Sequence, residues 1–279
     1  MCNLCNSNPA VWNARRAFVL AAGAAAAAPV LAQVDVGKSS SFRKLVPADQ
    51  IEAAAAQQYA QMMAQAGAQK ALASDSNPQL QKLRVIAQRI IPHAAQWNDR
   101  ARQWRWEVNL IGSKQINAFC MPGGKIAFYS GILDQLKLSD DEVAMVMGHE
   151  MAHALREHAR AQIGKTQATG LGLSVAAQMF GLGDLGNLGA RALTQLASRK
   201  FSRDDEAEAD LVGMELAARS GFSPQAGSTL WRKMAAASGG KKGGLPFLST
   251  HPSGPERIRE LEANAPKVQA LYEQARKGG

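Results

Sequence analysis

Cysteine is scarce in this chain: three in 279 residues, with Cys2 and Cys5 crowded into the first five positions. Cys2 and Cys5 form a C-x-x-C ahead of an apolar segment, and removal of that segment would take both away and leave Cys120 alone. No intramolecular disulfide could then form, so stability has to come from a buried core and bound groups. Long apolar runs are also missing. The longest N-terminal one is about a dozen residues, where about 20 are needed to span a bilayer. Clustered positive charge is missing too, although the formal net charge is +9. The Lys and Arg residues are scattered, and the longest basic-aromatic alternation is Trp104-Arg105-Trp106. This reads as a solvated basic surface and not a nucleic-acid site, with attraction to an anionic membrane surface left open. Internal repeats are absent, and a 46% hydrophobic content is that of a globular protein.

What is present begins with Arg15-Arg16, followed by Ala17-Phe18-Val19-Leu20, an Ala-rich run and the small-residue site Val30-Leu31-Ala32. A charged region, a short apolar region and a small-residue site make an export signal, here over residues 1–32. The paired arginines resemble the twin-arginine type, which implies an exported, periplasmic protein. Retention as an N-terminal anchor is the rival reading. Residues 33–47 are polar and Ser-rich, as a mobile linker would be, and residues 48–279 form the main domain.

Within that domain the spacing predicts a mainly helical α+β fold. Helices are expected from Pro47 to Gly67, and from Pro78, capped by Asn77, to about Ile91. Residues 104–112, Ile116 to Ala118 and Lys125 to Tyr129 read as strands, the last two separated by the turn Met121-Pro122-Gly123-Gly124. Ser139 with Glu142 is a capping-box pattern opening a helix expected to continue through His158. An apolar, Gly-rich stretch over 164–196 has glycines and a central Asp184 that argue against a membrane span; a lid or a membrane-contacting insertion is expected. A helix from Asp204 to Arg219, closed by Gly221, precedes a basic loop (Gly239 to Gly244), His251-Pro252 and a last helix from Pro255.

The chemistry concentrates at His149-Glu150-Met151-Ala152-His153, an H-E-x-x-H on a helix. Residues four apart share a face, so both imidazoles can reach one ion while Glu150 stands beside them as a base. A catalytic zinc usually takes three protein ligands. Among the acids of the 204–210 segment, Glu206 and Asp210 share a face, which suits a ligand and a residue orienting an imidazole. Glu208 points about 200° away and is weaker, while Asp204 and Asp205 suit the helix dipole. His158, roughly 180° from His149 on a continuous helix, reads as a packed or hydrogen-bonding residue. A purely structural zinc site would give Glu150 no reason to be where it is.

Four ordered motifs carry a resemblance across about residues 50 to 265. They are Asn117-Ala118-Phe119 with Pro122-Gly123-Gly124; His149 to His153 with His158 beyond; Ser202-Arg203 with Glu206 and Asp210; and His251-Pro252 with Arg257. Together they resemble the HtpX and CAAX-prenyl-protease (Ste-type) zinc metallopeptidases, and specifically soluble exported bacterial members. The resemblance implies a zincin-like (gluzincin) domain with one Zn2+ on His149, His153 and Glu206, and Glu150 as general base. It places His251 beside the metal, either stabilising the transition state or filling the open position at rest. It also implies polypeptide substrates, lying along an edge strand at Asn117, Ala118 and Phe119 that borders the cleft. The expected function is endopeptidase cleavage of unfolded or misfolded envelope proteins. A chaperone-like or assembly role with a latent, plugged site is the alternative.

Overall fold

A computed structural model describes residues 34–168, 200–239, 245–251 and 254–278. The expected export signal, the insertion from 169 onward, the basic loop at 240–244 and Pro252 lie outside the described residues.

Helix α1 (Ala48–Ala68) starts after Pro47 and buries Ile51, Ala55 and Tyr59. Helix α2 (Pro78–Ile90) opens on Pro78, whose missing N–H costs nothing there, and the Asn77 side chain accepts from the Gln79 and Leu80 N–H groups. Strands β1 (Glu107–Ile111), β2 (Ala118–Met121) and β3 (Lys125–Tyr129) form one sheet in the order β1-β3-β2. β1 runs parallel to β3, with Val108 opposite Ile126; β2 runs antiparallel to it, with Phe119 opposite Ala127. The β2–β3 turn needs its glycines: Gly123 and Gly124 have φ of 83° and 77°, and a Cβ on Gly124 would come within 2.7 Å of the Trp106 ring.

Short helix α3 (Ser130–Leu136) leads to α4 (Asp140–Leu155), whose capping box is complete in both directions. Every residue of α4 from Glu142 to Leu155 is buried, so this helix is the central rod of the domain. Next come α5 (His158–Ala168), α6 (Arg203–Arg219), α7 (Ala226–Ala237), the single-turn α8 (Pro246–Thr250) and α9 (Pro255–Lys277). The main core joins α2, α4, α6, α7 and α9 to one face of the sheet, and a second cluster of Tyr59, Ala55, Phe119, Met121 and Ala127 seats α1 on the other. The fold is therefore mainly helical with a small three-stranded sheet, as expected. Among the described residues no helix is long and apolar enough to cross a membrane.

Three expectations change. Strand β2 begins at Ala118 and runs to Met121, so Asn117 precedes the strand, and β1 is shorter than 104–112 because Trp104 and Trp106 pack on each other ahead of it. The helix bearing the histidines stops at Leu155: Glu157 takes a left-handed conformation (φ 58°), and a separate helix, α5, begins at His158. Residues 34–46 are docked instead of forming a linker. Val34 N–H donates to the buried Glu215 carboxylate (3.0 Å), Gly37 O accepts from Arg156 (2.8 Å), and Arg43 pairs with Glu157.

Candidate metal centre

Helices α4 and α6 meet with almost nothing between them. A Cβ on Gly148 would lie 2.6 Å from Gly213 O, and one on Gly213 would lie 2.6 Å from His149 N. This glycine contact lets the first turns of α6 lie beside the last turns of α4. Ser202 caps α6, with Asp205 returning the bond, so its register is fixed at the end nearest the site.

His149 and His153 project side by side, with their Nε2 atoms 3.1 Å apart. Glu206 faces them from α6, its Oε1 3.5 Å from His153 Nε2 and its Oε2 3.6 Å from His149 Nε2. His251, at the end of α8, completes the group. Its Nδ1 stands 3.2 Å from His149 Nε2 and 2.9 Å from Glu206 Oε1. One donor atom from each of these four buried residues lies within 4.8 Å of the others. Glu150 is buried next to them with Oε1 free of hydrogen bonds, 3.5 Å from His251 Nε2.

This donor set fits a cation. His149 Nδ1 lies 3.0 Å from Asp210 Oδ1, so its proton is on Nδ1 and a lone pair on Nε2 faces the cluster. His149 Nε2 then abuts two other ring nitrogens at once, and its one lone pair cannot accept from both. Two imidazole nitrogens, a carboxylate and a third imidazole in a dry pocket are the ligand chemistry of zinc.

The surroundings carry the charge balance. Arg257 reaches in from α9 to place Nη1 2.6 Å from Glu206 Oε2, and Nε and Nη2 each 2.7 Å from the Asp210 carboxylate. Its guanidinium stacks 3.7 Å over Trp231, whose Nε1–H also donates to Asp210 (3.2 Å). Burial pushes the Asp210 carboxyl up, but Arg257 and His149 outweigh it and hold it at about 2. Burial raises the Glu150 carboxyl, with His251 and His149 opposing. Burial lowers His153 well below the usual imidazole value. Burial brings His158 to about 4, with Asp205 opposing.

Of the residues expected from sequence, His149, His153, Glu206, His251, Glu150 and Asp210 come together here. Asn117 is half-buried, with its O accepting from Tyr129 N–H (3.1 Å) and its Oδ1 accepting from Ala118 N–H (3.0 Å). The Phe119 side chain turns to the far face of the sheet, between Tyr59 and Tyr129, so it does not reach the cluster. Glu208 instead pairs with Arg156. Sequence reading assigned no role to Phe201, which stacks on the His153 ring at 3.8 Å, or to Phe247, which stacks on His251 at 4.5 Å. Arg257 was in the right motif without a role.

Residues 78–265, about two thirds of the chain, match Peptidase family M48. The chain belongs to that family. Among its M48 relatives, the mitochondrial metalloendopeptidase OMA1 of Schizosaccharomyces pombe is 38% identical over 169 residues, covering 61% of this chain and 49% of that protein. Metalloprotease LoiP of Escherichia coli is 32% identical over 155 residues, 53% of this chain and 58% of that one. The β-barrel assembly-enhancing protease of Escherichia coli is 27% identical over 207 residues, 70% of this chain and 40% of that one. The matches span between 31% and 58% of the length of the curated relatives. For this M48 member the fold and the compact H-E-x-x-H centre are those of a zincin-like metallopeptidase domain.

Proposed function

We propose that this chain is a zinc-dependent endopeptidase, an exported member of the HtpX and Ste type, cleaving unfolded or misfolded proteins of the cell envelope. The observation that carries the reading is the convergence of His149, His153 and Glu206 next to a buried carboxylate, Glu150, with one oxygen free of hydrogen bonds. One zinc per chain is held by these three side chains. When bound, it acidifies water and polarises the scissile carbonyl. Glu150 takes the proton of the attacking water on its free oxygen and hands it to the leaving amine. Asp210 holds His149 by Nδ1, and Arg257 holds Asp210 and Glu206.

An extended substrate lies along β2, which among the described residues has a strand partner on one side only. Asn117, Ala118 and Phe119 would border the substrate there, with Ala118 presenting the main-chain side that alternates away from β3, because Asn117 O is already bonded to Tyr129 N–H and the Phe119 side chain is committed elsewhere. Such binding selects for extended backbone more than for side chains, and so for unfolded protein. His251 is read as a resting fourth ligand, supported by its Nδ1 lying 2.9 Å from Glu206 Oε1. A catalytic zinc keeps one position open, so His251 would either fill that position at rest or donate to the developing oxyanion; its ring lies against Phe247 and near Phe201.

Glu150→Gln is the decisive substitution. Casein cleavage should fall by at least 10²-fold while zinc, measured by elemental mass spectrometry, stays at one per chain. Turnover surviving that change, or a purified protein without zinc, sinks the reading. Export is checked separately by mass spectrometry of the mature N-terminus, which should begin after Ala32.

A further inference from the structure

We propose that His158 is a positioning residue for the metal centre, holding His153 through a relay of fixed tautomers that ends at the Glu208 carboxylate. The proposal rests on the zinc reading above. His153 offers Nε2 to the cluster, because that atom is the one 3.1 Å from His149 Nε2. A neutral imidazole ligating through Nε2 carries its proton on Nδ1. That Nδ1 lies 2.9 Å from His158 Nδ1, which must therefore be the acceptor. The proton of His158 is then on Nε2. This buried nitrogen makes no hydrogen bond of ordinary geometry, yet it stands 3.4 Å from Glu208 Oε2 and 3.9 Å from Asp205 Oδ1. Glu208 is kept there by Arg156. The left-handed Glu157 is what returns His158 towards His153, since a helix continuing past Leu155 would carry it round to another face. Phe201, stacked on His153 at an interplanar angle of 20°, fixes the remaining rotation of the ring.

The two α4 imidazoles are thus held by different chemistry. His149 is held by a carboxylate that Arg257 neutralises. His153 is held by a second imidazole, and only that one is backed by acids from the first turns of α6. Groups that orient a ligand in this way typically contribute about 10- to 100-fold in metal affinity.

The test compares His158→Phe, which keeps a ring of similar size and removes the acceptor, with His158→Gln, whose amide oxygen can accept from His153 Nδ1–H. Zinc Kd is measured by chelator competition on the full chain, beside thermal unfolding of the zinc-free forms. The expected result is a Kd weakened about 10- to 100-fold in His158→Phe, most of it recovered in His158→Gln, with little change in zinc-free unfolding. Because the Phe variant can fail to fold, ¹⁵N-histidine NMR of the zinc-loaded wild type adds an independent measurement, expected to show His153 protonated on Nδ1 and His158 on Nε2. Unchanged Kd in His158→Phe, equal weakening in both variants, or a proton on His158 Nδ1 overturns the relay alone. A wild type that takes up no zinc overturns the peptidase reading as well.

Discussion

Arg257 meets Glu206 and Asp210 of α6 at once and is buried, so its charge is balanced inside the protein. Removing one member of a buried charge cluster typically costs about 3–5 kcal/mol, because the partners are left unpaired in a dry setting. Arg257→Leu should therefore lower unfolding free energy by about that amount, read from urea denaturation. Arg257→Lys keeps the charge but loses the two-pronged grip on Asp210 and the flat stack on Trp231. It should retain more stability than Leu yet bind zinc more weakly than wild type; equal zinc Kd in Lys and wild type would argue against a role in orienting Asp210. Residues of this kind were only partly legible in sequence. H-E-x-x-H and Glu206 with Asp210 declare themselves because one helical period puts their side chains together. Arg257 and Phe201 touch the same cluster from distant positions, and no local period links them to it.

At the scale of elements, the packing of α4 against α6 depends on Gly148 and Gly213 facing each other. Gly213→Ala puts a methyl group against the His149 backbone, and backbone cannot yield as a flexible side chain can. Overpacking of this kind costs about 1–3 kcal/mol. The expected outcome is a lowered Tm together with a weaker zinc Kd, since the same displacement parts Glu206 and Asp210 from the histidines. A loss of Tm with zinc affinity intact would mean that the helices separate elsewhere. At the other end of α4, Glu142 closes the capping box and pairs with Lys233 at 2.6 Å. Burial pushes its carboxyl up, but Lys233 and the Ser139 N–H pull it below the ordinary value. A depressed carboxyl stabilises the fold above its unfolded-state pKa and loses that contribution as pH falls through the folded one. Glu142→Gln should thus cost about 1–2 kcal/mol at neutral pH, with the gap to wild type closing on acidification below the carboxylate range. The Ser139–Glu142 capping box and the β2–β3 turn were open to sequence reading because each is decided within a few residues, whereas Asp205 read as a dipole partner and turns out to close a second capping box with Ser202. The break after Leu155 was not: Glu157 is an ordinary residue there, and its left-handed turn is held by Arg43 and Arg160 from outside the helix.

At the scale of the whole molecule, the centre draws on four helices, α4, α6, α8 and α9, that also share the main hydrophobic core. α4 supplies His149, Glu150 and His153, α6 supplies Glu206 and Asp210, α8 supplies His251 and α9 supplies Arg257. The His149 and His153 Nε2 atoms face each other at 3.1 Å in a buried pocket, held by the surrounding packing and by the hydrogen bonds of the two rings to Asp210 and His158. A ligand that binds the native state alone adds RT ln(1 + [L]/Kd), or about 2.7 kcal/mol at a hundredfold excess over Kd. For a domain of this size that corresponds to roughly 5–10 °C in Tm. Chelation followed by dialysis should lower Tm by about that much, and zinc should restore it where magnesium does not, because nitrogen donors suit zinc and a magnesium ion prefers oxygen. Hydrogen exchange locates the effect. Amides at the start of α6 and around α8 should lose protection on chelation, because Glu206 and His251 are tied to α4 through the ion. The sheet, seated on α1 and α4 by apolar side chains and by Tyr59 Oη donating to Ile126 O, should keep its protection. Uniform loss over the whole domain would mean instead that the metal supports one cooperative unit, and that α8 has no motion of its own by which His251 could leave the site.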